Sequence, residues 1–215
     1  TVPLASARLF WGKNKIKNNP LGRILWIGYS DSPYSHCSYS APVGPQYHDY
    51  IDNQKIFLKE VCPAVRKQLL LRLYPTETGW HETHMWQNID LPIEIYRGGK
   101  SCFDQLNESR LAISTYNGMG ILETLSANYP TIIFWNPNHW ELRESAKPIF
   151  NALLGAGIFH ETPQSAACKV NQIHQDVESW WISVKVQEAR ETFCNRFANT
   201  SKPLIRMRKE LLKLL

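Results

Sequence analysis

At 215 residues the chain has room for one large or two small domains, and its 43% apolar and 20% charged content is that of an ordinary globular fold. A net charge of +5 with no RNA- or DNA-reading motif sets a nucleic-acid binder aside. Cys37, Cys62, Cys102, Cys168 and Cys194 are scattered, odd in number and free of any C-x-x-C pair, so a reducing, cytoplasmic setting is expected rather than a disulfide scaffold. No apolar run has the length of a membrane span and no signal peptide is visible. The chain begins at Thr1, which reads as a fragment.

Residues 1–22, with Lys13, Lys15, Lys17 and Pro20, read as a basic, solvated linker. At Arg23-Ile-Leu-Trp-Ile-Gly-Tyr29 the pattern changes to a buried strand followed by glycine, the usual opening of an α/β domain. Ser30 to Gln46 has no periodicity and is long for a strand-to-helix loop; loops of that size are often functional. It is expected to be mobile, with Tyr34 and Tyr39 exposed. Tyr47 to Cys62 carries an amphipathic helix stopped by Pro63. Leu69-Leu-Leu-Arg-Leu-Tyr-Pro75 reads as the second strand, with Arg72 inside an apolar run. A buried arginine needs a partner, and its fork suits phosphate or carboxylate; pairing to a glutamate is the structural alternative. The H-E-T-H at 81–84 lacks the i, i+4 histidine pair of a zinc protease, and no metal is expected. Ile93 to Tyr96 is a short strand, and Ser101 with Asp104 resembles a cap pair opening a helix.

The stretch from Arg110 to Trp140 organises the rest. Strand Leu111 to Thr115, turn Tyr116-Asn117-Gly118, helix Met119 to Asn128 and strand Thr131 to Trp135 make a βαβ unit. Its apolar runs suit strands covered on both faces. The turn then sits at the carboxyl edge, where open α/β sheets bind ligands. Ser114, Thr115 and Asn117 offer polar groups, and Thr115 or Asn117 suits a helix cap. Gly118 and Gly120 admit close backbone approach, and a helix amino end favours phosphate. Ile121, Leu122 and Leu125 share an apolar face, while Glu123 points away from it and is placed to accept from ribose hydroxyls. A capped crossover helix with a solvated glutamate has the same pattern.

Asn136 to Leu142 is a polar, aromatic loop on the same edge, where His139 and Glu141 are candidates to act on a substrate; a lone loop histidine is more often simply exposed. Glu144 to Leu154 is helical, Ile158-Phe159 is a short strand, and Thr162-Pro163 opens another helix. Residues 170–181 and 186–198 are expected to be helical, and Pro203 to Leu215 mixes basic and leucine positions, as in a docked terminal helix or one touching a membrane surface. Strands are expected at 24–28, 69–74, 93–96, 111–115 and 131–135, in a parallel sheet of about five or six strands.

P-V-G-P-Q-Y (42–47), L-L-R-L-Y-P (70–75), S-T-Y-N-G-M-G-I-L-E-T-L (114–125), P-T-I-I-F-W-N-P-N-H-W-E-L-R (130–143), G-I-F-H-E-T-P-Q-S-A-A (157–167) and W-W-I-S-V-K-V-Q-E-A-R-E-T-F-C (180–194) carry a resemblance. They resemble the C-terminal, nucleotide-binding half of a GT-B glycosyltransferase, closest to a transferase family of bacterial surface-carbohydrate loci. Arg72-Leu-Tyr-Pro75 is similar to the R-x-H-P strand end of glycerophosphate polymerases, with tyrosine replacing histidine.

The resemblance implies an α/β fold, a Rossmann-like parallel sheet with helices on both faces. It implies a transferase that uses a nucleotide-activated sugar donor and no cofactor. The donor phosphates would meet Ser114, Thr115, Asn117 and Gly118, with Arg72 as a clamp and Glu123 on the ribose. A saccharide or lipid-linked acceptor and the usual catalytic base would belong to a missing N-terminal GT-B domain, so that this part alone binds donor without turnover. Residues 1–22 would be the linker, 23–198 the donor domain and 199–215 a basic amphipathic helix in peripheral contact with the inner membrane face. Two further readings stay open: another GT-B enzyme, such as a nucleotide-sugar epimerase or polyol-phosphate transferase, and a non-catalytic scaffold.

Overall fold

A computed structural model of the chain describes residues 5–34, 42, 44–201 and 203–213. Six strands form one all-parallel sheet: β1 (Arg23–Ile27), β2 (Leu69–Arg72), β3 (Glu94–Tyr96), β4 (Ser109–Ser114), β5 (Thr131–Phe134) and β6 (Phe159–His160). Their spatial order is β3-β2-β1-β4-β5-β6, the order of the doubly wound Rossmann sheet. The strands expected near 24–28, 69–74, 93–96, 111–115 and 131–135 are present, and the short strand expected at Ile158-Phe159 is the sixth, at Phe159–His160. The continuous apolar runs have the cause inferred for them. Along β1, Ile24 and Trp26 enter one core cluster with Phe57 and Phe134, while Leu25 and Ile27 enter a second with Leu106, Ala112 and Tyr129. A strand buried on both faces has no polar side to alternate with.

The helices are α1 (Ala7–Gly12), α2 (Gln46–Glu60), α3 (Pro63–Arg66), α4 (Glu82–Gln87), α5 (Cys102–Asn107), α6 (Met119–Ser126), α7 (Lys147–Gly155), α8 (Pro163–Ile173), α9 (Val177–Trp181), α10 (Val184–Phe197) and α11 (Pro203–Leu211). Local chemistry sets several of their ends. Ser101 and Asp104 form a reciprocal capping box on α5. Thr162 accepts from the Ser165 amide, with Pro163 at the first helical position of α8. The expected helix over 170–181 is two: Asp176 caps the amino end of α9 by accepting from Ser179 N, and so starts a new helix where the sequence suggested continuity.

Residues 5–22 depart from the expected solvated linker. Leu9 and Ile16 are buried, Ser6 N donates to Asn199 O (2.9 Å), and Lys17 N donates to Asn107 Oδ1 (2.7 Å). Lys15 and Lys17 face outward and Lys13 donates to Thr200 Oγ1 (3.1 Å), while the few apolar positions between them dock on the domain. Gly22 then admits the chain to β1, since a Cβ there would lie 2.4 Å from Glu108 O. In the 30–46 loop, Tyr34 is exposed as expected; residues 35–41 and 43, Tyr39 among them, lie outside the described residues.

A buried ionic network braces the edge next to α2 and α4. Glu82, 1% exposed, accepts from Tyr47 Oη and, through its other oxygen, from Arg97 Nη2 at 2.7 Å. Arg97 also donates to Tyr74 O and Thr83 Oγ1. Glu82 is thus a structural carboxylate, and His81 and His84 on either side of it are exposed. Removing one member of a buried pair strands the other, so Glu82→Ala is expected to destabilise the fold by about 3 kcal/mol. Urea unfolding measures this as a lowered midpoint at unchanged slope.

Candidate functional site at the carboxyl edge

The strand order reverses between β1 and β4, whose crossovers leave in opposite directions and open a crevice beyond their carboxyl ends. Thr115, just past β4, holds the two strand ends together. It is fully buried, donates to Ile27 O (2.9 Å) and shares a hydrogen bond with Tyr50 Oη (2.8 Å). Tyr50 Oη also accepts from Tyr29 N (2.7 Å). The hydroxyl of Thr115, one of the expected donor contacts, is thus engaged with Ile27 O and Tyr50 Oη. Above it the crevice is filled by rings, with Tyr29 packed against Tyr50, Tyr116 and Trp140 at centroid distances of 5.9, 5.5 and 5.3 Å. Burial pushes the Tyr50 phenol well above its ordinary pKa, so it stays a neutral donor.

Ser114 is buried and donates to Tyr116 O (3.3 Å), shaping the turn. Asn117 is exposed. Neither Thr115 nor Asn117 caps α6; Gly118 is the N-cap, and no side chain closes that end. Gly118 is required by contact rather than by its dihedrals, which are extended: a Cβ would stand 2.2 Å from the Tyr116 ring. The result is a helix of eight residues whose amino end has backbone donors at the carboxyl edge of the sheet.

Arg72 ends β2 at 9% exposure. Its Nη1 donates to Gln105 Oε1, and its guanidinium lies over the Tyr96 ring at 5.8 Å. Among the described residues no carboxylate pairs with it, so the expected alternative of a glutamate partner is not what is found. Glu123 instead accepts from Arg8 Nε (3.0 Å) and Nη2 (2.7 Å), which brings α1 over the position expected to face ribose. Arg72 and Glu123 still share a neighbourhood, since both act on the half-buried Cys102 thiol, whose pKa is raised chiefly by desolvation. Burial likewise raises the Tyr116 phenol between them.

His139 is not the exposed loop histidine expected. It is 6% exposed, its Nε2 lies 3.9 Å from Asp49 Oδ2, and its Nδ1 has no hydrogen-bond partner. Burial holds its pKa below the ordinary histidine value, against the pull of Asp49. Glu141, two residues on, is exposed and lines a cleft of ≈ 460 Å³. Asn117 and Leu122 from the α6 end, Arg143 from the loop before α7, Phe150, and Phe193 and Arg196 of α10 also line it. Arg143 and Arg196 are functional candidates that sequence reasoning missed. Nothing in the spacing of a helical arginine shows that α10 ends beside the β4–α6 turn. Among the described residues no cluster of three or more His, Cys, Asp or Glu side chains is arranged to hold a metal.

Two measurements follow from this geometry. Gly118→Ala forces the Tyr116 ring aside, and circular dichroism in the aromatic range and a lowered melting temperature will report it; Gly120→Ala, which meets nothing within 4 Å, is expected to leave both unchanged. His139, His160 and His174 all have lowered pKa values, with burial the first cause in each. An unfolded histidine binds its proton near pH of about 6.5, whereas these folded ones do so only at lower pH. Their contribution to stability is complete above that value and is lost as pH falls through the window below it. The urea midpoint should fall from pH 7 to pH 5, and His139→Asn should flatten that fall; an unchanged slope would remove His139 from the account.

No protein of curated function matches the chain. Among solved structures, alpha,alpha-trehalose 6-phosphate synthase from Burkholderia multivorans is 11% identical, with 91% of this chain and 43% of that one covered and a TM-score of 0.48. WaaG, a glycosyltransferase involved in lipopolysaccharide biosynthesis, is 13% identical, with 95% and 54% covered and a TM-score of 0.42. The chain spans about half the length of these two proteins or less. The model of the LIC12162 family transferase matches residues 1–212, and the chain belongs to that family of transferases.

Proposed function

We propose that this chain is the donor-binding part of a glycosyltransferase of bacterial surface polysaccharide synthesis, and that it holds a nucleotide-activated sugar at the carboxyl edge of its sheet. The observation that carries the reading is the pairing of an open α6 amino end with Arg72, a buried guanidinium with no carboxylate partner among the described residues. A desolvated positive charge held only by an amide and a ring is costly until an anion joins it. A diphosphate supplies that anion, and the amides of α6 with Ser114, Asn117 and Gly118 take its other oxygens. The same groups stabilise the nucleotide phosphate as it departs, which is the main electrostatic demand of glycosyl transfer.

Ribose contact by Glu123 requires Arg8 to yield. The Arg8 side chain is 66% exposed, and an ion pair so open to water is weak enough to exchange. The acceptor, a saccharide or lipid-linked saccharide, is presented by a partner N-terminal domain. The site is cytoplasmic, next to the membrane. Among the described residues no helix is long and apolar enough to cross a membrane. On α11 and just after it, Ile205, Met207, Leu211 and Leu212 are exposed beside Arg208, Lys209 and Lys213, a composition suited to peripheral contact. The second reading, a scaffold without donor, is favoured by the rings over β1 and β4 and by the Arg8–Glu123 pair.

Titration calorimetry with nucleoside diphosphates separates the two. The parent binds under the donor reading, and Arg72→Ala, shown folded by circular dichroism, weakens binding by about one to two powers of ten. Arg72→Lys keeps the charge without the fork and is expected to fall between. Unchanged affinity in folded Arg72→Ala removes Arg72 from the site, and no binding by the parent favours the scaffold.

A further inference from the structure

His160 closes β6, the edge strand two places from β4, and its side chain is buried. Both ring nitrogens are engaged. Nε2 lies 3.2 Å from Gly157 O, and Nδ1 lies 2.7 Å from Ser165 Oγ in the first turn of α8. A carbonyl oxygen only accepts, so Nε2 carries the hydrogen of the neutral ring. Nδ1 is then the lone pair, and Ser165 Oγ is the donor. Burial holds the His160 pKa below the ordinary histidine value, against the pull of Gly157 O, and the Lys169 charge acts with burial. The carbonyl that orients the ring belongs to a residue with φ of +72°, where the Lys169 stem takes the space of a Cβ, so glycine is required there.

The helix end does not need the Ser165 hydroxyl. Thr162 Oγ1 caps α8 by accepting from Ser165 N (3.2 Å). The Ser101 hydroxyl on α5, by contrast, is tied to the carboxylate of Asp104 (2.8 Å). Ser165 is exposed. A hydroxyl open to solvent, a neutral imidazole within hydrogen-bond reach and a third group that fixes the imidazole tautomer make the arrangement of an activated nucleophile. Pro163 has no N–H, and the Gln164 amide, second in the helix, has no intrahelical acceptor. That amide is placed to receive developing negative charge.

We infer that Ser165 is a nucleophilic serine with His160 as its general base, and that it accepts the acyl group of a small activated ester. Ser165 Oγ bonds to the acyl carbon as its proton passes to His160 Nδ1. The bond from that carbon to the leaving oxygen then breaks with its electron pair, and His160 returns the proton to the departing alkoxide, leaving a seryl ester and an alcohol. An acyl group fits better than a phosphoryl group. Lys169, one turn along α8, is engaged with Gln172 Oε1 and the Trp180 ring. Attack on an uncharged acyl carbon develops one oxyanion, which suits the single Gln164 amide better than several charged phosphate oxygens would. The inference stands apart from the donor reading, since neither Arg72 nor the amino end of α6 takes part in it.

The test uses the full chain, p-nitrophenyl acetate as acyl donor and a fluorophosphonate as covalent probe, with the labelled hydroxyl located by peptide mass spectrometry. A burst of about one p-nitrophenolate per chain is expected. The fluorophosphonate should label Ser165 faster than Ser101, an exposed serine whose hydroxyl meets a carboxylate instead of a histidine. Ser165→Ala removes an exposed hydroxyl and should lose both signals while its circular dichroism is unchanged. His160→Gln should slow acylation by about a hundredfold or more. Because His160 is buried, the parent in urea gives a second comparison that needs no variant: unfolding separates the pair, and the Ser165 label should fall to the Ser101 rate. A burst that persists in Ser165→Ala overturns the inference, as does an undiminished rate in folded His160→Gln. A Ser165 label no faster than that of Ser101 in the native parent also overturns it, and leaves the pair as a tether between β6 and α8.

Discussion

The pairing of β1 with β4 is the constraint on which the rest of the molecule depends. These strands are far apart in sequence yet neighbours at the centre of the sheet, in register from Ile24 opposite Leu111 to Ile27 opposite Ser114. Both are buried on two faces, so neither is stable alone, and each gives the other a full row of backbone partners. Thr115 extends the junction by one residue through its bond to Ile27 O, and Tyr50 ties α2 to the same point. With the two strand ends fixed, the turn Tyr116-Asn117-Gly118 has one place to go, and α6 starts at the carboxyl edge with its amino end open.

Charge is distributed unevenly around this frame, and the unevenness separates structure from site. Glu82 meets Arg97 and Tyr47 in a buried, satisfied network. Glu123 meets Arg8 from outside, where solvent screens the contact. Arg72 is buried with neutral partners, and Arg143 and Arg196 stand on a cleft rim without partners among the described residues. Three guanidiniums without a carboxylate partner among the described residues, together with the α6 backbone donors, make this edge a place for an anion. The pocket below the opposite end of the sheet, by contrast, combines Arg110 with Asp176 and Glu178, and Arg110 there is already bonded to Gly22 O, Gln68 and His174 O.

Much of the fold was legible because it is set locally. Runs such as Leu69-Leu-Leu and Thr131-Ile-Ile-Phe have one economical place, a doubly covered strand, and Ser101 with Asp104 or Thr162 with Pro163 carry their caps in the sequence. Residues 5–22 were misread because three lysines outweigh Leu9 and Ile16, although two docked apolar side chains suffice to hold a short segment. The site was less legible because its parts converge only in three dimensions. Thr115 has the composition of a ligand contact, and nothing local in the sequence shows that its hydroxyl also bonds Ile27 O and Tyr50 Oη. Arg72 was visible as a charge in an apolar run, but its neutral partner Gln105 comes from another element. Phe193, Arg196 and Phe197 arrive from α10 and Phe150 from α7, and no local pattern in either helix marks which end reaches the ligand edge.

The central claim is that the amino end of α6 receives an anionic donor at the reversal of strand order. The most direct test is backbone amide NMR of the isotope-labelled chain during titration with a nucleoside diphosphate. The account predicts that the largest shifts fall on the amides of residues 117–121, with the Arg72 side chain responding in the same titration. Shifts confined to the opposite end of the sheet, around Arg110 and Asp176, or no saturable shift at residues 117–121, would contradict it.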